Sequence, residues 1–501
     1  MRKENGTKNT RVFANSILYS VTSLFTKAIG FFMLPFYTNM LETESYGSVD
    51  LVTGFVAVAV FISSLSLSAA ILRFHSEYAN DKEKLSRFYG TIFSFLPVSG
   101  LLFAAACLLL REKLAEALFS GLPFFPMVLL AIGLTYVSVL HTAHLSVIQA
   151  SQDGRRLSLL NICVCLAQVT VTVFLLTVWK LGAAGILLSQ FIVYALYSVY
   201  AYIDLAKRGY LRFAFDWKML KTALGYSVPM LPHNLSGNIA DYASKLFLSS
   251  SVSLSGVGLY GAASKFGLVI DTIQTAGNQA FMPWFFEELK NDAPDRENIG
   301  TVTRTLLTIY SFMYLCIGLF SEEVICVALN ESYRESWRVI PIIVAAFSVK
   351  SVYYFLVNVL MYHTETARRI FVATISGSLS EILMLSFLVP LYGMYGTALS
   401  LLLAKIVTVA IIAHMAKPYK DLPMGAFRLF LCVLPSLLFL AAGSIPAYIL
   451  PTGLNGWCIA IKFAVLFAYI CYTLLANKDL AASLKRLLSA LHSKKVNKGE
   501  N

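Results

Sequence analysis

The sequence predicts an all-α polytopic membrane protein, and three observations support that fold class. The first is composition: of 501 residues, 57% are hydrophobic and only 14% are charged, whereas soluble domains carry about 25% charged residues. The second is that apolar residues form long runs, each near the roughly 20 residues that a helix needs to cross a bilayer. The third is that lysines and arginines concentrate in alternate gaps between these runs, as expected for a chain that crosses a membrane repeatedly.

Fourteen apolar runs follow one another along the chain, and each is interpreted as one transmembrane helix. The seventh and eighth runs are the most polar and have the weakest support from hydropathy alone. The runs cover residues 14–38, 48–72, 88–110, 123–148, 158–179, 182–203, 220–250, 256–286, 302–320, 336–362, 367–389, 394–415, 427–449 and 455–476.

The distribution of positive charge predicts the orientation of these helices. Both chain ends and the even-numbered gaps are rich in lysine and arginine, and cytoplasmic segments of membrane proteins carry that excess. Both termini are therefore expected in the cytoplasm. The formal net charge of +12 is assigned to orientation and to contact with anionic membrane lipid, which makes nucleic acid an unlikely partner. The first run lacks a clear cleavage site, so it is expected to be retained.

A weak internal repeat predicts the domain organisation. Tyr46-Gly47 matches Tyr260-Gly261, and Arg155-Arg156 matches Arg368-Arg369, at an offset of about 213 residues. Because this offset spans six runs, an even number, the two halves are expected to share one orientation. The predicted domains are an N-terminal lobe of six helices, a C-terminal lobe of six helices, two extra helices and a basic amphipathic cytoplasmic tail, at residues 1–205, 206–420, 421–476 and 477–501.

The residue types that usually hold metals give no metal site in this sequence. None of the eight cysteines has the spacing of a zinc or redox motif. His141 and His144 are three residues apart in the fourth run without a carboxylate or third ligand near them in sequence, which favours packing or hydrogen bonding. We therefore predict no cofactor and no metal, and we leave open whether H⁺, Na⁺ or the membrane potential drives the protein.

Six lysines lie inside the apolar runs, where each charge costs about 2.5–3.5 kcal/mol on insertion scales. Lys405 is expected to neutralise Glu381 of the neighbouring run, and Lys462 is expected to reach the membrane interface. The other four are candidates for binding an anion at membrane depth. The six are Lys27, Lys245, Lys265, Lys350, Lys405 and Lys462.

Polar stripes run along the seventh and eighth helices. In the seventh, four polar residues at i, i+4, i+7 and i+11 share one face, and in the eighth, three repeat the pattern at i, i+3 and i+7. These stripes predict a shared aqueous cavity, although hydrogen bonds that only join helices would require the same residue types. The stripes are Asn234, Asn238, Asp241 and Lys245, followed by Asp271, Gln274 and Asn278.

One pair of charges is a candidate gate. Lys27 and Asp241 occupy equivalent positions of the repeat, which predicts that they face each other and form an ion pair in one conformation. The alternative is local, because Asp241 and Lys245 are i,i+4 neighbours on one helix and can pair with each other.

Arg73 is a further candidate ligand, and Lys350 is favoured among the lysines. Arg73 ends the second run at its predicted cytoplasmic side, where it serves either as an orientation anchor or as a fork for phosphate oxygens. Lys350 shares a helix face with Tyr354 and Asn358 in the tenth run, which makes it a better ligand candidate than Lys405.

The order of several short motifs resembles that of a known family. Lys27 in the first run, the Leu-Glu-Thr-Glu-Ser-Tyr46-Gly47 loop, the Leu72-Arg73-Phe74 helix end and the twelve-plus-two architecture are similar to polysaccharide flippases of the multidrug/oligosaccharidyl-lipid/polysaccharide exporter superfamily. The resemblance implies a V-shaped transporter of two six-helix lobes, not an enzyme. It would move a polyprenyl-pyrophosphate-linked oligosaccharide from the cytoplasmic to the outer leaflet of a bacterial cytoplasmic membrane, with a polysaccharide polymerase as a candidate partner.

That substrate suits the residues identified above. A pyrophosphate needs cations, and a glycan needs amides and aromatic rings, which assigns the basic candidates to the first and the asparagines and Gln274 to the second. By analogy with lipid II flippases, the last two helices are candidates for holding the lipid tail. The alternatives are a lipid II flippase, a cation-coupled multidrug or metabolite exporter, and a membrane glycosyltransferase or polymerase, for which the loops are short.

Overall fold

The computed structural model describes Leu18 and residues 21–211, 215–291, 293–450 and 452–476, and in these ranges every regular element is a helix. The first helix, α1, covers residues 21–32. The others are α2 Leu34–Met40, α3 Thr43–Ser64, α4 Leu67–Tyr78, α5 Lys82–Leu109, α6 Arg111–Phe119, α7 Leu129–Ala150, α8 Gly154–Thr177, α9 Gly182–Lys207, α10 Trp217–Ser251, α11 Leu254–Glu288, α12 Arg296–Leu319, α13 Ser321–Ala328, α14 Ile340–Tyr362, α15 Thr364–Ala367, α16 Ile370–Ala416, α17 Ala426–Ile449 and α18 Gly456–Ala476. A π-helical turn, Phe124–Val128, precedes α7, and a 3₁₀ helix, Glu331–Val339, precedes α14.

The second predicted run corresponds to two helices. The chain passes from α3 to α4 through Leu65 and Ser66, whose φ angles of 49° and 54° lie in the left-handed region. Two successive residues in that conformation cannot continue a right-handed helix. The sequence carries no glycine or proline at this point, so hydropathy alone did not reveal the break.

The eleventh and twelfth runs correspond to the single helix α16, which bends sharply at Gly393. Gly393 has φ 53° and ψ −126°, a conformation that glycine adopts far more readily than residues with a Cβ. Ten helices of the described ranges are long and apolar enough to cross a membrane by length and composition, and α10 and α11 are not among them. The all-helical membrane fold is confirmed, and the count of fourteen crossings stays a prediction.

Aspartates begin four of the helices whose first residues are predicted to face the cytoplasm. The side chains of Asp81, Asp153, Asp216 and Asp295 accept hydrogen bonds from backbone N–H groups in the first turns of α5, α8, α10 and α12. A side-chain oxygen at this position satisfies donors that the helix itself leaves free. These caps explain why the helices begin three to six residues before the apolar runs do.

The chain divides into two compact units. Unit 1 comprises Met1–Lys265 and Thr374–Ala404, and unit 2 comprises Phe266–Ala373 and Lys405–Asn501. The boundaries fall within α11 and α16, so each of these helices contributes to both units. The predicted lobes and extra helices stay a prediction, and the predicted amphipathic tail at 477–501 lies outside the described residues.

Candidate functional site

The most buried of the predicted cationic ligands, Lys245, joins α10 to α3 in unit 1. Its Nζ lies 3.0 Å from Asp241 Oδ2 and 3.3 Å from Asp50 Oδ1. The side chains of Lys245 and Asp50 are only 10% and 8% exposed, whereas that of Asp241 is 59% exposed. The buried cation therefore serves two carboxylates, one in the protein interior and one at its surface.

Two glycines make room for this ion pair. A Cβ at Gly54 of α3 would lie 3.2 Å from Lys245 Cδ, and a Cβ at Gly261 of α11 would lie 2.7 Å from Asp50 Oδ2. The first is tight against the lysine stem, and the second is closer than nonbonded carbon and oxygen atoms normally approach. Gly261 belongs to the Tyr-Gly pair found in the repeat, and its role here is to admit the Asp50 carboxylate.

Asp50 is the residue that the sequence interpretation missed. It is 7% exposed, and its Oδ2 is buried without a hydrogen-bond partner among the described residues. A signal was present, because Asp50 is an acidic residue inside the otherwise apolar second run, and such residues are functional candidates by default.

Two lysines of unit 1 differ from Lys245 in their surroundings. Lys27 in α1 and Lys265 in α11 are both half-buried, and neither forms an ion pair with a carboxylate within the described part of the chain. Arg73, at the last turns of α4, is exposed, and in the same ranges it too has no acidic partner. Among the described residues, these three cations are therefore not engaged by a carboxylate.

The predicted contact between Lys27 and Asp241 is not formed in this conformation. Asp241 pairs instead with Lys245, which is the local alternative that the sequence left open. The gate role of Lys27 and Asp241 therefore stays a prediction about a different conformation.

The amides of α10 form few contacts. Asn238 donates a hydrogen bond to the backbone carbonyl of Asn234 at 3.3 Å, and Asn234 donates to Ser66 Oγ at 3.5 Å. Ser66 is one of the two left-handed residues between α3 and α4. Both asparagines are half-buried, and the shared cavity predicted from the two stripes stays a prediction.

In unit 2, Lys350 of α14 pairs with Asp271 of α11. Their Nζ and Oδ1 atoms lie 2.5 Å apart, and each side chain is 24% exposed. Tyr354 donates its hydroxyl to the same oxygen at 3.1 Å, and the Lys350 ammonium lies 5.6 Å from the ring centroids of Phe347 and Tyr354. Lys350 is thus enclosed by one carboxylate and two aromatic faces, an arrangement that suits a partly desolvated cation.

Towards the C-terminal ends of α11 and α14, further polar side chains join the two helices. Thr275 hydrogen-bonds Tyr354 at 3.0 Å, and Asn358 donates to Asn278 Oδ1 at 2.7 Å. The face shared by Lys350, Tyr354 and Asn358 therefore points at the stripe of the eighth predicted helix. Within unit 2 this stripe joins helices, as the second interpretation of such stripes required.

Gln274 is the most enclosed member of the stripe. It is fully buried, its Nε2 donates to the carbonyl of Phe347 at 2.8 Å and to the hydroxyl of Tyr314, and its Oε1 has no partner among the described residues. A buried amide oxygen without a donor is costly. Gln274 Oε1 can therefore accept one more hydrogen bond, for which the described residues provide no donor.

The prediction for Lys462 was wrong. It is 2% exposed and lies 2.8 Å from Glu322 Oε2 and 2.6 Å from Glu323 Oε1 of α13, so it does not reach the interface. The two glutamates lie about 140 residues earlier, in a gap between predicted runs. Their pairing with Lys462 therefore could not be predicted from proximity in the sequence. Lys405 and Glu381 lie in different units, and their pairing stays a prediction.

The two histidines of α7 serve hydrogen bonding and packing. His144 is fully buried, with Nδ1 2.9 Å from the Tyr197 hydroxyl and Nε2 3.0 Å from Asp204 Oδ2. The His141 ring stacks on Tyr194 with 4.3 Å between centroids. No group of three or more metal-ligating side chains occurs in the described ranges.

The lysines fall into two groups, according to whether a described carboxylate pairs with them. Lys245, Lys350 and Lys462 are each neutralised by carboxylates, so they can bind a ligand only if those contacts open. Lys27 and Lys265 need no such exchange, because the described residues offer them no carboxylate. An oxyanion placed near them would gain charge-assisted contacts directly.

Comparison with known proteins agrees with a transporter fold. A family described as "Polysaccharide biosynthesis protein" matches residues 12–288. Two proteins of Haemophilus influenzae are similar at 22% identity: "Lsg locus putative protein 1", over 70% of this chain and 85% of that protein, and "Uncharacterized membrane protein", over 72% and 87%.

Two solved structures share the architecture. The lipid II flippase MurJ in an inward closed conformation superposes with a TM-score of 0.67 at 16% identity, over 93% of this chain and all of that chain. An inward-facing multidrug resistance MATE family transporter of the MOP superfamily gives 0.57 at 16% identity, over 79% and 96%. At these identities the likeness establishes the fold, which is that of membrane transporters.

Proposed function

This chain belongs to the family of polysaccharide biosynthesis proteins, and from that premise we propose that it transports a polyprenyl-pyrophosphate-linked oligosaccharide across the bacterial cytoplasmic membrane by alternating access. The observation that carries the proposal is the pair of half-buried lysines, Lys27 and Lys265, that have no carboxylate partner in the described ranges. A cation inside a membrane protein requires an anion or water, and the pyrophosphate is the anionic part of this substrate.

Different residues bind the different chemical groups of this substrate. Lys27 and Lys265 take the pyrophosphate, and the exposed Arg73 meets the same group earlier, near the predicted cytoplasmic surface. The half-buried amides of Asn234 and Asn238 offer donors and acceptors for sugar hydroxyls. The polyprenyl tail stays in the bilayer, because burying it elsewhere would bring no gain over lipid.

The paired lysines act differently in this proposal. Asp241 is largely exposed while Lys245 is buried between it and Asp50, so an approaching pyrophosphate competes with Asp241 for Lys245. Lys350 and Asp271 are each 24% exposed, so an anion that reaches this second pair competes with Asp271 for Lys350. These pairs would close when the site is empty and open when the anion arrives, which is the differential contact that a population shift requires.

The test is transport in proteoliposomes that contain a fluorescent polyprenyl-pyrophosphate disaccharide, with the outer-leaflet fraction quenched at intervals. Lys27→Ala and Lys265→Ala should each slow transport about tenfold or more, the effect of losing one charge-assisted contact of about 1.5 kcal/mol or more. Lys82→Ala, which removes an exposed lysine at the start of α5, is the matched control and should transport normally.

Normal rates in both lysine variants and in their combination would exclude the cationic site. Running the same vesicles with lipid II tests which head group is transported, because a peptidoglycan-specific flippase would move lipid II and leave the disaccharide lipid behind. Formation of a new glycosidic bond by the purified protein would contradict transport itself.

A further inference from the structure

A groove in unit 2, of about 190 Å³, opens between α12, α17 and α18. Arg304 lies at the start of the ninth apolar run, and Thr473 lies at the end of the fourteenth. Both run ends are predicted to face the cytoplasm, so the groove sits where headgroups meet acyl chains on that side of the membrane.

The polar lining of the groove consists of one guanidinium and several hydroxyls. Besides Arg304, the hydroxyls of Thr308, Tyr469, Tyr472 and Thr473 line it, and no acidic residue of the described ranges does. The hydroxyls of Thr308 and Thr473 already donate to the backbone carbonyls of Arg304 and Tyr469, each at 2.8 Å. Tyr472 is 44% exposed, and in the described ranges its hydroxyl has no protein partner. A concave surface with one positive charge and several hydroxyls is suited to an oxyanion.

Within the described ranges, Arg304 has no acidic partner. Its Nε donates to the backbone carbonyl of Gly300 at 3.4 Å, and the described residues place no carboxylate within ion-pair distance of it. Arg304 is an exposed residue and lines the groove. Its planar fork keeps four N–H donors available for phosphate oxygens.

The opposite wall of the groove is apolar. Leu431 and Pro435 of α17 line it, and Leu431 is 44% exposed. Binding pockets for whole small molecules occupy about 300–1,000 Å³, so this groove accommodates a small group that remains attached to something outside. A lipid phosphate is small enough for this volume, and the glycerol or prenyl group attached to it can run along the apolar Leu431 into the bilayer.

We propose that this groove binds the phosphate group of a lipid anchored in the adjacent leaflet, with Arg304 as its principal ligand. Tyr472 donates a further hydrogen bond to the phosphate oxygens, and Leu431 contacts the first carbons of the chain. The sequence after Ala476 is basic, with Lys478, Lys485 and Arg486, which raises the local concentration of anionic lipid. The proposal is independent of which substrate the protein transports.

The test compares lipid retention by native mass spectrometry of the full-length protein released from detergent. Phosphatidylglycerol should give a tightly held adduct, and Arg304→Gln should weaken its retention about tenfold, as expected for one lost charge-assisted contact. Tyr472→Phe preserves the ring and should weaken retention about threefold, the effect of a neutral hydrogen bond. Arg296→Gln, an exposed arginine two turns earlier on α12, is the matched control.

Competition identifies the source of the phosphate. Displacement of a fluorescent phosphatidylglycerol by unlabelled phosphatidylglycerol assigns the groove to a bilayer lipid, and displacement by polyprenyl phosphate at lower concentration assigns it to the carrier lipid. Either result supports a lipid-borne phosphate. Equal retention in Arg304→Gln and Arg296→Gln, or displacement by inorganic phosphate as effective as that by lipid, would overturn the proposal.

Discussion

Lys245 of α10 and Asp50 of α3 form a buried ion pair, with 3.3 Å between Nζ and Oδ1. Their side chains are 10% and 8% exposed, so neither charge can recover its hydration if the other is removed. The second oxygen of Asp50 already lacks a hydrogen-bond donor in the described part of the chain. The free energy of unfolding is therefore sensitive to any change that leaves Asp50 charged and alone.

Replacing Lys245 by alanine should destabilise the protein strongly. Removing one partner of a buried pair costs about 3–5 kcal/mol because the other charge stays buried without compensation. The thermal midpoint of the detergent-solubilised protein, followed by tryptophan fluorescence, should fall clearly below that of Lys221→Ala. Lys221 is an exposed lysine of the same helix.

Neutralising both partners separates charge from packing. Asp50→Asn combined with Lys245→Gln should recover most of the lost stability, since no buried charge is left unpaired; Asp241 also loses its cation, but its side chain is 59% exposed and stays hydrated. If the double variant melts as low as Lys245→Ala, the packing of the lysine stem against Gly54 is the main contribution and the electrostatic explanation is wrong.

Gly47 and Gly258 should tolerate no side chain. A Cβ at Gly47 would lie 1.9 Å from the carbonyl oxygen of Leu254, and a Cβ at Gly258 would lie 2.0 Å from that of Thr43. Backbone atoms cannot move aside as a flexible side chain can, so α3 and α11 would have to separate and the Thr43–Ser255 hydrogen bond of 2.7 Å would break. Gly47→Ala and Gly258→Ala should each lower folded yield and thermal midpoint, measured by gel filtration and melting.

Gly225→Ala provides the control for this prediction. Nothing lies within 4 Å of a Cβ at Gly225 in α10, and alanine is a better helix former than glycine by about 0.8–1.0 kcal/mol. This variant should melt at or above the wild-type temperature. Wild-type stability in Gly47→Ala would mean that the close approach of α3 and α11 is not maintained in the membrane.

The pair Glu322 and Glu323 should contribute unequally to the site of Lys462. Glu322 is 2% exposed and also accepts the backbone N–H of Gly453 at 3.2 Å, whereas the Glu323 side chain is 14% exposed. Glu322→Gln should therefore lower the thermal midpoint more than Glu323→Gln, and Lys462→Ala should lower it most, by the equivalent of about 3–5 kcal/mol, because two carboxylates lose their cation.

The order of these three melting temperatures is the measurement. If Lys462→Ala were as stable as wild type, the lysine would not be compensating buried charge. If Glu323→Gln were the more damaging glutamate variant, the assignment of Glu322 as the main partner would be incorrect.

Sequence patterns predicted the helices and their approximate ends because hydropathy and helical periodicity are local properties. The face of α14 that carries Lys350, Tyr354 and Asn358 was predicted from spacing alone, and the structure shows those residues contacting Asp271, Thr275 and Asn278. The break after Ser64 was not predicted, because Leu65 and Ser66 have no special tendency to adopt positive φ.

The partners of the lysines could not be obtained from the sequence in the same way. Asp50 is 195 residues from Lys245, and nothing local indicates which helices will pack together. The local alternative for Asp241 was found because it depends on an i,i+4 relationship, and that is the contact the structure contains. Contacts within one helix could be predicted from residue spacing, whereas contacts between two helices depend on how the helices pack, which the sequence does not show locally.

Asp204 of α9 joins three helix ends in unit 1. Its carboxylate receives the guanidinium groups of Arg156 and Arg208, the latter through Nε at 3.3 Å, and lies 3.0 Å from His144 Nε2. Asp204 is 8% exposed. Among the described contacts, it is the only acidic residue that pairs with all three of these partners.

Asp204→Asn should destabilise the protein far more than Asp153→Asn. The amide removes the negative charge while two guanidinium groups remain beside it, at a cost of about 3–5 kcal/mol for breaking a buried pair. Asp153 is 41% exposed and 3.9 Å from Arg208, so its ion pair is worth about 0.2–1 kcal/mol, and asparagine preserves its cap on α8 because it caps helices as well as aspartate does. Thermal melting of both variants checks the difference. Equal midpoints would mean that solvent screens the Asp204 network as fully as it screens a surface pair, and the cluster would then hold α7, α8 and α9 together by packing alone.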